Sequence, residues 1–147
     1  MPEGALGRVG ASKRDREDIA FGFGYLRASG AFDIGQAAVV AGKRILAVEA
    51  AEGTDQMVAR VAELRASGRI GVPAGTGVLV KAPKPGQDQR FDLPSIGPRT
   101  VTGVSRAGLA GIAVVSDKTV IADAESVVRK ADSAGIFVVG IPLGSTS

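Results

Sequence analysis

The sequence predicts a single α/β domain in which a mixed, largely parallel sheet is flanked by helices. Its 147 residues suffice for one domain with a buried core. Near-continuous runs of Val and Ile are typical of strands covered on both faces. Two such runs, at 112–115 and 136–139, each follow a helical segment that ends at a glycine, the order expected of α/β units. Residues 1–11 are small, rich in glycine and without periodicity, so we expect a linker or tail there and the folded domain at 12–147.

The first predicted element of the domain is a helix over residues 13–29. Ser12 is placed to cap it, and its apolar residues recur at helical spacing. Gly22 and Gly24 lie inside this helix, where each costs about 1 kcal/mol relative to alanine. They indicate that another part of the backbone packs close to the helix.

A β-hairpin and a second helix are predicted next. Two short apolar runs, 37–41 and 45–48, are separated by Gly42 and Lys43, a composition that favours a tight turn. Thr54 is then expected to cap the second helix.

A long irregular segment separates the next two elements. A buried strand is predicted at 78–80, and a third helix begins at Pro98, because proline suits the first helical position. Residues 81–97 between them hold prolines and glycines that suit neither a helix nor a central strand. Irregular loops of this length in compact domains tend to be functional. Asp123 is placed to cap the last helix.

The chain contains no histidine and no cysteine. This excludes Ser-His-Asp and Cys-His catalysis, thiolate chemistry, disulfides and the usual zinc sites. Acid–base or metal chemistry must therefore use Asp, Glu, Lys or the one tyrosine. Hard oxygen ligands favour Mg²⁺ over a transition metal.

The net charge of +3 predicts mild attraction to anions. The basic residues are scattered and aromatic residues are few, so the stripe or stacking platform of a nucleic-acid module is missing and no nucleic acid is expected as a partner. No apolar run approaches the roughly 20 residues of a membrane span. The first residues lack the apolar core of a signal peptide, so we expect a cytoplasmic protein.

Polar residues collect at the ends of the predicted elements. One cluster, 33–36, enters the hairpin, and a second places three carboxylates beside the start of the second helix: Glu49, Glu52 and Asp55. Capping by Thr54 would account for the carboxylate next to it, which complements the helix dipole. Capping does not explain why Glu49 and Glu52 lie so close together in the sequence. A basic side chain nearby would offset their repulsion, and Lys81 and Lys84 are candidates.

The third cluster lies in the irregular segment, where Lys81 and Lys84 are followed by Gly86 and Asp88. Lysines can hold phosphate oxygens, and a carboxylate can bind Mg²⁺ that bridges them. A solvated surface loop stiffened by proline would have the same composition, and the spacing alone does not separate the two. Neither a Walker A loop nor a Gly-x-Gly-x-x-Gly turn that opens a helix is present.

Together these clusters resemble a known family. The motifs on which the resemblance rests are DIGQAAVV at 33–40, LAVEAAEGTD at 46–55, KAPKPGQDQRFDLPSIGP at 81–98, AGI at 110–112 and GIFVVG at 135–140. In this order, from about residue 12 to residue 141, they resemble the C-terminal catalytic domain of the UDP-2,3-diacylglucosamine pyrophosphatases of lipid A biosynthesis. A set of motifs this long is far more specific than any one cluster.

The resemblance implies a function and a site. It implies Mg²⁺-dependent hydrolysis of UDP-2,3-diacylglucosamine to UMP and 2,3-diacylglucosamine 1-phosphate (lipid X). The acidic residue of the Gly-Gln-Asp motif, here Asp88, is the expected metal-binding catalytic group. Further metal ligands are predicted at Glu52 and Asp55. Substrate or phosphate binding is predicted for the remaining polar motif residues: Gln36, Thr54, Lys81, Lys84, Gln87 and Arg90.

The resemblance also implies partners. Members of the family carry an N-terminal domain, and the lipid lies where the two domains meet. This chain begins near the linker, so we expect that domain as a partner. Without it we expect the isolated domain to lose acyl-chain binding and most of its activity or all of it. We further expect peripheral contact with the inner-membrane surface, and leave a homodimer open. Two alternatives remain: a non-catalytic phosphate- or nucleotide-binding module that regulates a partner, and a basic scaffold whose polar loops only cap helices.

Overall fold

The computed structural model describes residues 1–32, 34–84 and 93–146 of the chain. The helices in these ranges are α1 (Lys13–Ser29), α2 (Thr54–Ala66), α3 (Pro98–Arg106) and α4 (Ala124–Ala134), with short 3₁₀ turns at Gly30–Phe32 and Leu143–Thr146. The strands are β1 (Gly4–Ala5), β2 (Ala37–Ala41), β3 (Arg44–Val48), β4 (Val78–Lys81), β5 (Ser95–Ile96), β6 (Gly111–Val115), β7 (Val120–Ile121) and β8 (Phe137–Ile141). No helix in the described ranges has both the length and the apolar character that crossing a bilayer requires.

The main sheet is mixed, as predicted, with the strand order β1-β8-β6-β4-β2-β3. Its parallel part is confined to the centre, where β6 pairs with both β4 and β8. The β2–β3 hairpin extends one side with antiparallel pairing, and β1 closes the other side antiparallel to β8. A second, small parallel sheet joins β5 to β7.

Helices cover both faces of the main sheet. On one face Val40 and Val80 pack with Phe23 of α1, and on the other Leu79 and Ile112 pack with residues of α2, α3 and α4. Alternate residues of each central strand therefore enter different cores, and both sets are apolar. This explains why the strands appear in the sequence as continuous Val and Ile runs.

Most of the predicted helix ends are confirmed, and so is the predicted tight turn of the hairpin. The Ser12 side chain accepts a hydrogen bond from the backbone of α1, Pro98 is the first residue of α3, and the Asp123 side chain caps α4. Gly42 and Lys43 both have positive φ, as a tight hairpin turn requires.

Two sequence-based expectations about the ends of elements differ from the structure. Thr54 does not cap α2; Gly53 occupies the N-cap position, and Thr54 is the first helical residue. Residues 1–11, expected to be a linker or tail, include the edge strand β1, where Gly4 pairs with Gly140 and the Leu6 N–H donates to Val138 O at 2.7 Å. A two-residue strand has no periodicity that the sequence could reveal.

The two glycines inside α1 have different surroundings. A Cβ built on Gly22 would lie 2.7 and 2.9 Å from the methyl carbons of Val80 and 3.1 Å from a methyl carbon of Val40. The nearest atom to a Cβ on Gly24 is 3.8 Å away, at the end of the Arg27 side chain. The helix therefore lies close to the sheet at Gly22, against strand side chains rather than another backbone, and has room at Gly24.

We expect opposite effects when each glycine is replaced by alanine. Gly22→Ala should lower the free energy of unfolding by about 1–3 kcal/mol, because the added methyl overpacks a buried core. Gly24→Ala should raise it by about 0.5–1 kcal/mol, because alanine is the better helix former and meets no close neighbour. Urea unfolding measures both variants. Equal stability of the two would contradict the close approach at Gly22.

Candidate functional site

Three chain segments meet at the carboxyl end of β4. Because β2 runs antiparallel to β4, its first residue, Ala37, pairs with the last residue of β4, Lys81. The Ala82 N–H donates to Gln36 O at 2.9 Å, and the Glu49 N–H donates to Ala37 O at 2.9 Å. One residue from each of the three polar clusters of the sequence therefore lies at the same sheet edge. The carboxyl end of parallel strands is where open α/β sheets bind ligands.

A cavity of about 510 Å³ opens at this edge. Two helices begin at it, since the N-cap residues of α2 and α3, Gly53 and Gly97, both line it. Helix N-termini present backbone N–H groups and partial positive charge, which attract phosphate groups. Lys81 lines the same cavity and adds a full positive charge.

Lys81 is buried, with 8% of its surface exposed. Its Nζ donates a hydrogen bond to Ser95 O in β5 at 2.7 Å. Burial lowers the pKa of Lys81 below its ordinary value, while the carboxylates of Glu49 and Asp55 act in the opposite direction. The ammonium group is thus held at the cavity wall with little solvent around it.

Glu49 connects two of the segments. Its Oε2 accepts a hydrogen bond from the Thr54 hydroxyl, and its Oε1 accepts one from the Gln36 N–H at 3.4 Å. In the sequence, Glu49 was notable only for crowding with neighbouring carboxylates. The partner that explains its position, Gln36, is thirteen residues away, so the local pattern contains no signal for it.

Glu52 lines the cavity, and its carboxylate has close partners outside it. Its Oε1 accepts from the Ala50 N–H at 2.6 Å, and its Oε2 lies 3.3 Å from the Arg60 guanidinium. The Ala50 hydrogen bond, and to a lesser extent Arg60, holds the pKa of Glu52 below its usual value. Arg60 is therefore a cation beside Glu52 that the sequence did not suggest, while Lys81, one of the two suggested lysines, interacts electrostatically with Glu49.

Asp55 is the more open carboxylate of the site. It lines the main cavity and also a neighbouring one of about 480 Å³ between α2 and α3. Its Oδ2 lies 4.0 Å from the guanidinium of Arg99, whose side chain is 91% exposed. An exposed pair at this distance contributes little stability, so both charges remain accessible to a ligand.

The described residues hold only part of a metal site. No group of three or more acidic side chains that could bind a metal occurs within 1–32, 34–84 and 93–146. Mg²⁺ in proteins often takes one or two carboxylates, with waters and substrate phosphates as the other ligands. Asp55, and Glu52 if it leaves its present partners, fit that pattern once other oxygen donors are supplied.

Several predicted site residues lie outside the described part of the chain: Gln87, Asp88 and Arg90, as well as Asp33 of the first cluster. Lys84 is described and half-buried, three residues beyond Lys81. The structure thus brings Gln36, Thr54 and Lys81 to one sheet edge with the two acidic residues of α2 and its preceding loop. The roles of all these residues stay predictions.

Sequence reasoning missed the contribution of α3. The cavity is lined by the N-terminus of this helix, including Arg99, and by Ser95 of β5. Pro98 correctly marked where the helix begins, but no local pattern indicates that this end faces the start of α2. That information lies in the packing of α2 against α3 on the same face of the sheet.

Comparison with known proteins agrees with the sequence motifs. A model of the LpxI C-terminal domain family matches residues 2–139. Over 141 residues the chain is 45% identical to the UDP-2,3-diacylglucosamine pyrophosphatase LpxI of Caulobacter vibrioides. The match covers 96% of this chain and 50% of that protein, so the chain spans about half the length of the curated relative. The chain therefore belongs to the LpxI C-terminal domain family.

Proposed function

We propose that this chain is the catalytic domain of an enzyme that hydrolyses the pyrophosphate bond of UDP-2,3-diacylglucosamine. The products are UMP and 2,3-diacylglucosamine 1-phosphate, an intermediate of lipid A biosynthesis. The observation that carries the proposal is the 45% identity to a pyrophosphatase of that name, which extends over 96% of the chain. The cavity at the carboxyl end of β4 supports the proposal, because it combines positive groups that suit a diphosphate with carboxylates that suit a cation.

Hydrolysis of a pyrophosphate requires water to attack a phosphorus atom surrounded by negative oxygens, while a phosphate departs. Donors that stabilise the added charge accelerate such a step. Lys81 and the N-termini of α2 and α3 are suited to bind the diphosphate oxygens, and burial of Lys81 strengthens its interaction with an anion. Carboxylates in the same cavity would be unfavourable for a site that binds anions alone, but suit one that also binds a cation.

We propose Mg²⁺ as that cation, with Asp88 as its principal ligand and Asp55 and Glu52 as further candidates. When bound, Mg²⁺ would neutralise charge on the diphosphate and lower the pKa of a coordinated water. Asp55 is the better placed of the two described carboxylates, because Glu52 is engaged with Ala50 and Arg60. This also fits a chain without histidine or cysteine, since it needs only oxygen ligands.

The partners of the chain belong to the same proposal. We propose that a second domain of the kind expected from the family completes the binding of the acyl chains, and that the protein is cytoplasmic and contacts the inner-membrane surface peripherally. Tight, metal-independent binding of UMP without hydrolysis would instead favour the phosphate- or nucleotide-binding module.

Replacing Asp88 tests the catalytic assignment. In the protein that also carries the N-terminal domain, Asp88→Ala should reduce UMP release by about 100-fold or more, because the principal metal ligand is lost. Circular dichroism and thermal unfolding should match the parent chain. The control is Glu63→Ala, which removes an exposed carboxylate from α2 and should leave the rate unchanged. Retained turnover in Asp88→Ala would remove Asp88 from the mechanism.

Removing the metal tests the cofactor. EDTA should abolish UMP release, and added Mg²⁺ should restore it. In a titration of the rate with Mg²⁺, Asp55→Asn should raise the half-maximal concentration more than Glu52→Gln does, because the Glu52 carboxylate is already held by its neighbours. A rate that chelation leaves unchanged would rule out the metal, and a larger effect of Glu52→Gln would reverse the order of the ligands.

Lys81→Met tests the buried ammonium group. Methionine has a similar length and no desolvation cost, so the free energy of unfolding at neutral pH should be unchanged or higher. The dissociation constant for inorganic pyrophosphate, measured by calorimetry, should rise about 10-fold or more because a charged donor is lost. Lys13→Met, at an exposed position of α1, is the matched control and should change neither quantity. Loss of stability together with unchanged binding would mean that Lys81 is structural.

A further inference from the structure

We propose that Glu49 is a positioning residue that turns the Thr54 hydroxyl into a hydrogen-bond acceptor at the cavity wall, where it orients water rather than binding phosphate. The inference rests on the proposed pyrophosphate hydrolysis and assigns a role within that site. It departs from the sequence-based expectation that Thr54 binds substrate phosphate.

The direction of one hydrogen bond carries the argument. The Thr54 hydroxyl bonds to Glu49 Oε2, and an ionised carboxylate only accepts. The single hydroxyl hydrogen of Thr54 is therefore used by Glu49. The Thr54 oxygen can then form further hydrogen bonds only as an acceptor, through its lone pairs. These lone pairs suit a water hydrogen and repel a phosphate oxygen.

Glu49 is held in place from two sides. Its Oε1 accepts from the Gln36 N–H at 3.4 Å, and its own N–H donates to Ala37 O at 2.9 Å. The segment before β2 lies directly against it: a Cβ on Gly35 would be 2.2 Å from Glu49 O. Only glycine allows this approach, so the backbone that carries Glu49 is packed directly against the segment before β2.

Glu49 acts through its neighbours. Among the described residues, Thr54 and Lys81 line the cavity, whereas Glu49 does not. Glu49 lies behind the cavity wall. Its carboxylate accepts a hydrogen bond from Thr54 and favours the charged form of Lys81. Thr54 is also the first residue of α2, so it belongs to the helix end whose backbone N–H groups are suited to the diphosphate. A water that donates to Thr54 would thus lie at the end of the cavity where the diphosphate is proposed to bind.

The test separates the two roles of Thr54 by comparing turnover with binding. Glu49→Gln and Thr54→Val should each lower kcat for UMP release by about 10-fold or more, with KM changed less than about 3-fold. Thr54→Ser keeps the hydroxyl and should retain most of the turnover. The dissociation constant for inorganic pyrophosphate should stay within about 2-fold of the parent in all three variants. Glu63→Gln, the same chemical change on the exposed side of α2, is the control.

A double-mutant cycle tests whether Glu49 acts through Thr54. The double variant Glu49→Gln, Thr54→Val should be no slower than the slower single variant, since both substitutions disrupt the same pairing of Glu49 with Thr54. Additive losses would mean that the two residues act independently and would overturn the inference. Weakening of pyrophosphate binding by about 10-fold or more in Thr54→Val would also overturn it, because Thr54 would then be a phosphate donor.

Failure of the proposed function gives a different result. If the parent chain, assayed together with the N-terminal partner domain expected from the family, releases no UMP at any Mg²⁺ concentration, hydrolysis at this site is rejected and the role of orienting water falls with it. The pyrophosphate measurements, which need no turnover, then still decide whether Thr54 accepts or donates at the cavity. A parent that hydrolyses the substrate while Glu49→Gln does so equally fast rejects the inference on Glu49 alone.

Discussion

The buried ammonium group of Lys81 constrains the rest of the site. A lysine with 8% of its surface exposed loses most of its hydration, and burial lowers its pKa for that reason. It keeps one hydrogen bond to a backbone carbonyl in the described structure, to Ser95 O, and two carboxylates, Glu49 and Asp55, favour its charged form. Those carboxylates offset part of the cost of burying the charge. The charge of Lys81 is therefore coupled electrostatically to Glu49 and Asp55.

The sheet topology explains how these groups meet. β4 carries Lys81 at its carboxyl end, and β2 begins at the same level because it runs antiparallel to β4. β3 returns along β2 and ends there as well, which delivers Glu49 to the same edge. An all-parallel sheet would place the start of β2 at the opposite edge. The antiparallel hairpin beside the parallel centre of the sheet is thus what assembles the three polar clusters. The glycine at position 35 permits the close contact between two of them.

The sequence predicted the local features of this fold better than the long-range ones. Ser12, Pro98 and Asp123 work through contacts within one turn of helix, so their residue types suffice to predict them. The order of the strands and the meeting of α2 with α3 depend on contacts between distant residues, which periodicity does not encode. The motifs shared with the family named candidate residues at the edge of the sheet. They did not indicate that Arg60 pairs with Glu52, nor that Ser95 accepts from Lys81.

Thr54 shows where local and long-range requirements compete. Local chemistry favours threonine as a helix cap, since its hydroxyl can accept from the backbone N–H groups of the first turn. In the structure Gly53 takes the cap position, and no described side chain caps α2. The hydroxyl donates to Glu49 instead.

A helix without a side-chain cap leaves backbone donors without a side-chain partner, and the uncapped end of α2 faces the cavity. Because those donors carry the positive end of the helix dipole, an anion in the cavity can replace the missing cap. The start of α2 therefore stays available for phosphate because Gly53, at the cap position, has no side chain to bond these donors.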